Sequence, residues 1–311
     1  MTTLFYLLGY LAVVGFIALA CKKLKGYLED SPLHVRWELY PVPHEGKKSS
    51  YGGSFMEETE WWNKKRHIEH WYDIMGIIRE VLLLEATFKH NNKLWFRTYP
   101  FHFGLYMLMG GTIIMVICVL LEFCGLNPQG GFMMFVRNVI NVVVLGGAFA
   151  IVGGGIALIE RRKNDPNLKA YTTPEHFLNL GAFVVFGLLT LCAWAFNPCG
   201  DGYYGLAHEF IRNMFTFTFA PIHSTFFVLS MLVGFFLMIW IPMTNMQHLI
   251  LKYFMYHDIR WGDAPTSESE ANQKKINDII GNYHPTWAAD HIEGDGTKTW
   301  ADVATSDGIK K

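Results

Sequence analysis

His102 and His248 are the residues of this chain whose type and placement carry the most chemistry. His102 stands in Tyr99-Pro100-Phe101-His102-Phe103-Gly104, at the start of a long apolar run. His248 stands in Pro242-Met243-Thr244-Asn245-Met246-Gln247-His248, at the end of another. If the two runs cross a bilayer in opposite directions, both imidazoles arrive at one face. His102 lies two residues into its span and His248 just beyond Trp240, so at about 1.5 Å per residue their depths match within roughly 5 Å. Two imidazoles facing each other inside a helix bundle are the axial pair that a b-type haem takes. The plainer reading is of two interfacial histidines bonded to backbone or water, and the matched depth favours the pair.

Other polar residues in the apolar runs are open to more than one role. His176, in Thr172-Thr173-Pro174-Glu175-His176, is a rival ligand at the same face, although its place after Pro174 reads as a helix start. His223, in Phe219-Ala220-Pro221-Ile222-His223-Ser224, precedes His248 by about 37 Å along an unbroken helix, so the two cannot share a haem. It belongs to the other half of the bundle, as ligand to a second haem, as a quinone contact or as a structural residue. The run holding His102 offers Thr112, Cys118 and Glu122 in that half and no histidine, and His208 is the nearest candidate to pair with His223. Asn138 and Asn141, with Arg137, suit either a quinone carbonyl or the stitching of helices. Gly146, Gly147, Gly153, Gly154 and Gly155 suit close helix packing, with room for a flat macrocycle as a second use. His34, His44, His67, His70 and His90 show no metal-ligand spacing.

The elements that must position these residues follow from hydropathy. The chain is 51% hydrophobic and 17% charged, against about a quarter charged in a soluble protein, and the deficit is local. Five apolar stretches, at 4–20, 101–123, 138–159, 177–196 and 213–241, reach or approach the roughly 20 residues that a helix needs to cross the hydrocarbon core. The 26 basic residues are segregated: thirteen in 21–98, four in 160–175, seven in 250–311, and only Arg137 and Arg212 in the alternate connections. The positive-inside rule then puts the N-terminus outside and the C-terminus inside. The first stretch is followed, not preceded, by Lys22, Lys23 and Lys25, which makes it an uncleaved anchor rather than a signal peptide.

Composition also excludes. The net charge of −1 gives no footprint for nucleic acid. The five cysteines form no Cys-x-x-Cys pair and no haem-attachment motif, which argues against covalent haem and against an iron–sulfur cluster within the chain. Cys124 and Cys199 fall near one face, where an oxidising compartment would allow a disulfide. Buried acid–base pairs and paired broken helices, the marks of a transporter, are not evident.

The expected organisation is an all-α, five-span transmembrane bundle: a first anchor at 1–20, a cytoplasmic loop at 21–98, a four-helix membrane bundle at 99–251 and a cytoplasmic tail at 252–311. The loop is too long to be a simple connection. It carries Trp61, Trp62 and Trp71, as membrane-surface anchors or as a docking surface, and the latter is preferred. Residues 67–89 read as an interfacial helix with Ile74, Ile77, Ile78, Val81 and Leu82 on one face. The polar tail, interrupted by Trp287 and Trp300, reads as partly disordered or as a strap that orders on a partner.

Three segments together resemble the cytochrome b (gamma) subunit of respiratory nitrate reductase and its wider family. They are Phe101-His102-Phe103-Gly104, Leu158-Ile159-Glu160-Arg161-Arg162 running into Tyr171-Thr172-Thr173, and Pro242 through His248, spanning about residues 100–250. The long inner loop, with Arg36-Trp37-Glu38-Leu39-Tyr40-Pro41, is more similar to the membrane cytochromes of sulfate reducers and related anaerobes that pair with heterodisulfide-reductase-like iron–sulfur proteins. The resemblance implies haem b held by His102 and His248, electron exchange with menaquinone, and an iron–sulfur partner at the cytoplasmic face of the inner membrane. The chain would be the electron-transfer subunit of a quinone oxidoreductase in anaerobic respiration. The family's second haem takes a histidine ten residues after His102 and another about 18 residues before His248, where this chain has Thr112 and Ser230. One haem is expected and a second is open. The alternative is a haem-free membrane anchor that docks a catalytic redox subunit.

Overall fold

The computed structural model describes residues 2–29, 46–48, 57–65, 67, 69–197, 201–244, 246, 270–289 and 292–305. Two compact units divide the chain: Met1–Leu24 with Met75–Leu249, and Lys25–Ile74 with Ile250–Lys311.

In the first unit, α1 (Thr2–Glu29), α4 (Asn92–Phe123), α5 (Gly131–Asn164) and α7 (Pro174–Ala195) are long helices, and α9 (Thr225–Trp240) is the fifth. The first four, and α9 with the 3-10 turn that continues it to Met243, are long and apolar enough to span a membrane. Their outward faces are apolar, the reverse of a water-soluble bundle. Leu4, Leu7, Leu11 and Val14 form one exposed stripe on α1, and Met109, Ile113, Ile117 and Leu120 another on α4. Spacings of three and four residues put each stripe on one face, which a bilayer covers. The protein is therefore a membrane protein.

The helices pack in chain order, α4 on α5, α5 on α7 and α7 on α9. Glycine brings α4 and α5 to backbone contact. A Cβ on Gly104 would stand 2.6 Å from the Gly147 carbonyl oxygen, and one on Gly147 would stand 3.0 Å from that of Gly104. Small residues are what permit such an approach in lipid.

The helix expected over 67–89 is broken. α2 (His70–Leu83) and α3 (Glu85–His90) meet at Leu84, whose φ of 52° interrupts the helical ladder. The last carbonyls of α2 lack helical donors, and α4 supplies them: Tyr106 Oη donates to Val81 O at 2.6 Å and Trp95 Nε1 to Leu83 O at 2.8 Å. Ile74, Ile78 and Leu82 remain exposed along α2, as an interfacial helix requires.

The fifth apolar stretch, expected as one span over 213–241, is two elements. A fourteen-residue helix, α8 (Gly202–Phe215), ends before Phe217, whose φ is 53°, and an irregular link runs to Ser224. Ser224 then starts α9 by accepting from Phe227 N at 3.3 Å. Pro221 within the link has no N–H to donate, so a helix through it would be faulted. α8 packs against α4, α5 and α7. A short helix, α6 (Pro166–Lys169), lies in the basic connection, capped by Asp165.

The second unit holds the described tail, 270–289 and 292–305, which carries regular structure; the rest of the tail lies outside the described residues. α10 (Glu270–Asn282) leads into a two-residue antiparallel pairing of β1 (Ala288–Ala289) with β2 (Ile292–Glu293), then α11 (Trp300–Thr305). Trp300 N donates to Tyr283 O at 3.0 Å, Trp287 meets Trp300 edge-on at 5.9 Å, and Pro285 is fully buried. The two tryptophans close a small fold of the tail on itself.

Candidate functional site

His102 sits on α4 within the bundle, partly buried. Its Nδ1 lies 2.8 Å from the Thr98 carbonyl oxygen and 3.2 Å from Thr98 Oγ1, one helical turn back. A carbonyl only accepts, so Nδ1 carries the proton and the imidazole lone pair is on Nε2. That is the tautomer, held by a backbone acceptor, with which a histidine ligates a metal through Nε2. Phe101 meets the ring edge-on at 5.7 Å.

His248 lies outside the described residues, but Met246, two residues before it, does not. Phe101, Ile151, Leu180, Phe183 and Leu237 form one buried apolar cluster, and Met246 packs against it. The residue preceding His102 and the residue two before His248 thus share one cluster at one end of the bundle. Asn179 is buried there too. Its Oδ1 accepts from Trp240 Nε1 at 2.6 Å, while its Nδ2 has no hydrogen-bond partner. His176 is not aimed at this cluster by its hydrogen bonds; its Nδ1 accepts from Thr173 N at 3.2 Å at the start of α7, as its sequence position suggested.

What is described at this end is one imidazole, His102, beside an apolar cluster, and a buried amide donor at Asn179 without a partner; His248, the second ligand of the expected pair, lies outside the described residues. Among the described residues no group of three or more His, Cys, Asp and Glu is placed to hold a bare metal ion. A haem needs only two protein ligands, because the macrocycle supplies four nitrogens.

The other end of the bundle carries different chemistry. His208 is on α8, not in a loop, and its Nε2 lies 2.8 Å from Glu122 Oε1 near the end of α4. Both atoms are buried and neither makes a well-aligned hydrogen bond, so the two side chains are in close contact without a directed bond. Tyr204 stacks on the His208 ring at 5.0 Å. Burial drives the Tyr204 phenol well above its ordinary value, and Cys118 and Glu122 beside it push the same way, so it remains a protonated donor. This constellation stands twenty residues, or about 30 Å, along α4 from His102. Its members were visible separately in the sequence, but nothing in the spacing from Glu122 to His208 joins them. The contact depends on how α8 folds back.

His223 does not join it. It lies on the link before α9, exposed, and the helix expected to run unbroken from His223 to His248 starts only at Thr225 and gives way to a 3-10 turn at Ile241–Met243. The positions of the resemblance's outer ligands are also otherwise engaged. Thr112 is exposed and bonds back to Leu108 O at 2.9 Å, and Ser230 is wholly buried with its hydroxyl on Phe227 O at 3.1 Å. The interior around them is filled by Met115, Ile140, Tyr203, Phe210, Phe227 and Phe235.

Asn141 stitches helices. Its Oδ1 accepts from Tyr204 N at 2.9 Å and its Nδ2 donates to Asp201 O at 3.0 Å, so a side chain of α5 caps α8. Asn138 is exposed on the outward face. Gly104, Gly147 and Gly154 serve close packing, whereas a Cβ on Gly153 would meet nothing within 4 Å. Cys124 is a free exposed thiol, and Cys199, its partner in the disulfide considered, lies outside the described residues.

No protein-family model, curated protein or solved structure matches this chain.

Proposed function

We propose that this protein is the haem b-carrying membrane subunit of a respiratory complex, passing electrons between the membrane quinone pool and an iron–sulfur partner at the cytoplasmic face. The observation that carries the reading is the shared cluster of Phe101 and Met246, which brings the chain beside His102 and the chain beside His248 to one end of the bundle. His102 and His248 hold the haem. A haem so ligated supplies one-electron transfer, and the protein sets its ligands, burial and polarity. Thr98 keeps His102 in the ligating tautomer, and the apolar cluster excludes water around the site. One haem is proposed, because His208 is engaged by Glu122 and His223 stands outside the bundle. As the resemblance implies, menaquinone is the quinone and the inner membrane of an anaerobically respiring cell is the location.

The test is a reduced-minus-oxidised spectrum with a pyridine haemochrome count on the purified protein. One haem per chain, lost in His102→Ala and in His248→Ala and kept in His223→Ala, is expected. Folded protein with no Soret band would overturn the proposal in favour of a haem-free anchor for a redox subunit.

A further inference from the structure

A groove of about 460 Å³ runs between α4 and α5 on their outward face, at the same end of the bundle as His102. Its lining includes Phe96, Pro100, Gly146, Phe149, Ala150 and Gly153. The volume is that of a small-molecule site. Because both helices span the membrane, whatever fills the groove enters from the hydrocarbon phase.

Three features distinguish it from an ordinary lipid-facing crease. First, its floor is bare. Gly153 would carry a Cβ into open space, and Gly146, where a Cβ would meet only Met107 Cε at 3.2 Å, lies seven residues earlier on the same helix face, about 10 Å along the axis. Second, its walls include two largely exposed aromatic rings: Phe96, 64% exposed and edge-on to Trp95 at 5.2 Å, and Phe149, 61% exposed. Flat rings beside a glycine floor suit a planar conjugated ligand. Third, Pro100 lies inside α4 and has no N–H, so the carbonyl of Phe96 loses its usual donor four residues on. Both residues line the groove. In hydrocarbon a carbonyl deprived of its helical donor is a strong acceptor for a ligand hydroxyl.

We propose that this groove seats an isoprenoid quinone in its hydroquinone form. The ring lies by Phe96 and Pro100 with a hydroxyl donating to the Phe96 carbonyl, and the apolar tail lies along the Gly146–Gly153 floor. Pro100 and His102 are two residues apart and therefore about 200° apart around α4, so the ligand sits one helix diameter, about 10 Å, from the His102 side. The assignment rests on the quinone-linked reading above and adds to it the place where the quinone binds.

Gly153→Leu tests it. A side chain there meets open space, so the bundle is left intact while the floor is filled. Gly110→Leu, also open and outside the groove, is the control. Quinone extracted from the purified proteins is counted per chain, and an azidoquinone probe is photolysed on each. Wild type and Gly110→Leu should carry quinone and crosslink within 96–100 or 146–153; Gly153→Leu should lose both by about tenfold or more, equivalent to at least about 1.4 kcal/mol. Equal quinone in Gly153→Leu, crosslinks elsewhere, or only phospholipid in wild type would overturn the groove assignment. The haem count separates this from the broader reading: haem present without groove-bound quinone overturns the groove alone, and a haem-free chain overturns the electron-transfer reading whatever the groove binds.

Discussion

A single added carbon at Gly104 would meet the Gly147 carbonyl oxygen at 2.6 Å, and backbone atoms on both sides leave it no cheap escape. Gly104→Ala should therefore push α4 and α5 apart and cost about 1–3 kcal/mol, the range for overpacking a close interface. Gly153→Ala has open space and loses only the flexibility of glycine, so it should be neutral or stabilise by up to about 1 kcal/mol. Thermal unfolding of the detergent-solubilised variants reads the opposite signs; equal effects would mean that the approach of Gly104 to Gly147 is not what holds the two helices. The same scale governs how much of the site was legible. A histidine two residues into an apolar run is visible in the chain, and so is its depth. The tautomer set by Thr98, the orphan amide of Asn179 and the pairing of Glu122 with His208 are not, because each depends on neighbours that only helix packing supplies.

Elements were legible where a physical signal extends over many residues. About twenty apolar residues announce a span, and a helix long and apolar enough to cross a membrane lies in each of the five stretches, the fifth starting only at Thr225. The stretch 213–241 failed because hydropathy is blind to a bend between apolar residues: Phe215, Phe217 and Phe219 read as continuous, while Pro221 and Ser224 were the local signs of a new helix start. α8 takes its N-terminal cap from another element, and this can be tested. Asn141→Ala removes the acceptor for Tyr204 N and the donor for Asp201 O and should cost about 1–2 kcal/mol. Asn141→Asp keeps the acceptor and should recover part of the loss. Amide exchange of α8 in the intact protein reports both; unchanged exchange in Asn141→Ala would rule out the cap. In the tail, Asp295 accepts from Thr297 Oγ1, Thr297 N and Lys298 N, which lower its carboxyl from 3.8 to about 2. A lowered carboxylate stabilises the fold above its unfolded value and loses that contribution as pH falls through the folded one. Protection of the Thr297 and Lys298 amides in the full chain should hold down to about pH 4 and collapse towards about pH 2. Asp295→Asn should weaken protection at neutral pH and remove this pH dependence.

The whole molecule has a predicted sense of insertion, from the segregation of its basic residues. Cys21 and Cys124 are free, exposed thiols near opposite ends of the spans. In a Cys199→Ser background, a membrane-impermeant maleimide added to intact cells should label Cys124 and spare Cys21, and the reverse pattern would invert the assignment. Within this plan α8 is held at several points. Glu122 meets it from α4, Asn141 caps it from α5, and from α1 the Tyr6 hydroxyl accepts from Asn213 at 3.1 Å while Tyr10 donates to Met214 O at 2.5 Å. Tyr6 and Asn213 are 207 residues apart, so α1 waits for α8. At about 5–20 residues per second the ribosome needs roughly 10–40 s to close that gap. For that interval α1 stays in the bilayer with the Tyr6 and Tyr10 hydroxyls answered only by water or headgroups, and the joint closes only once α8 has been made.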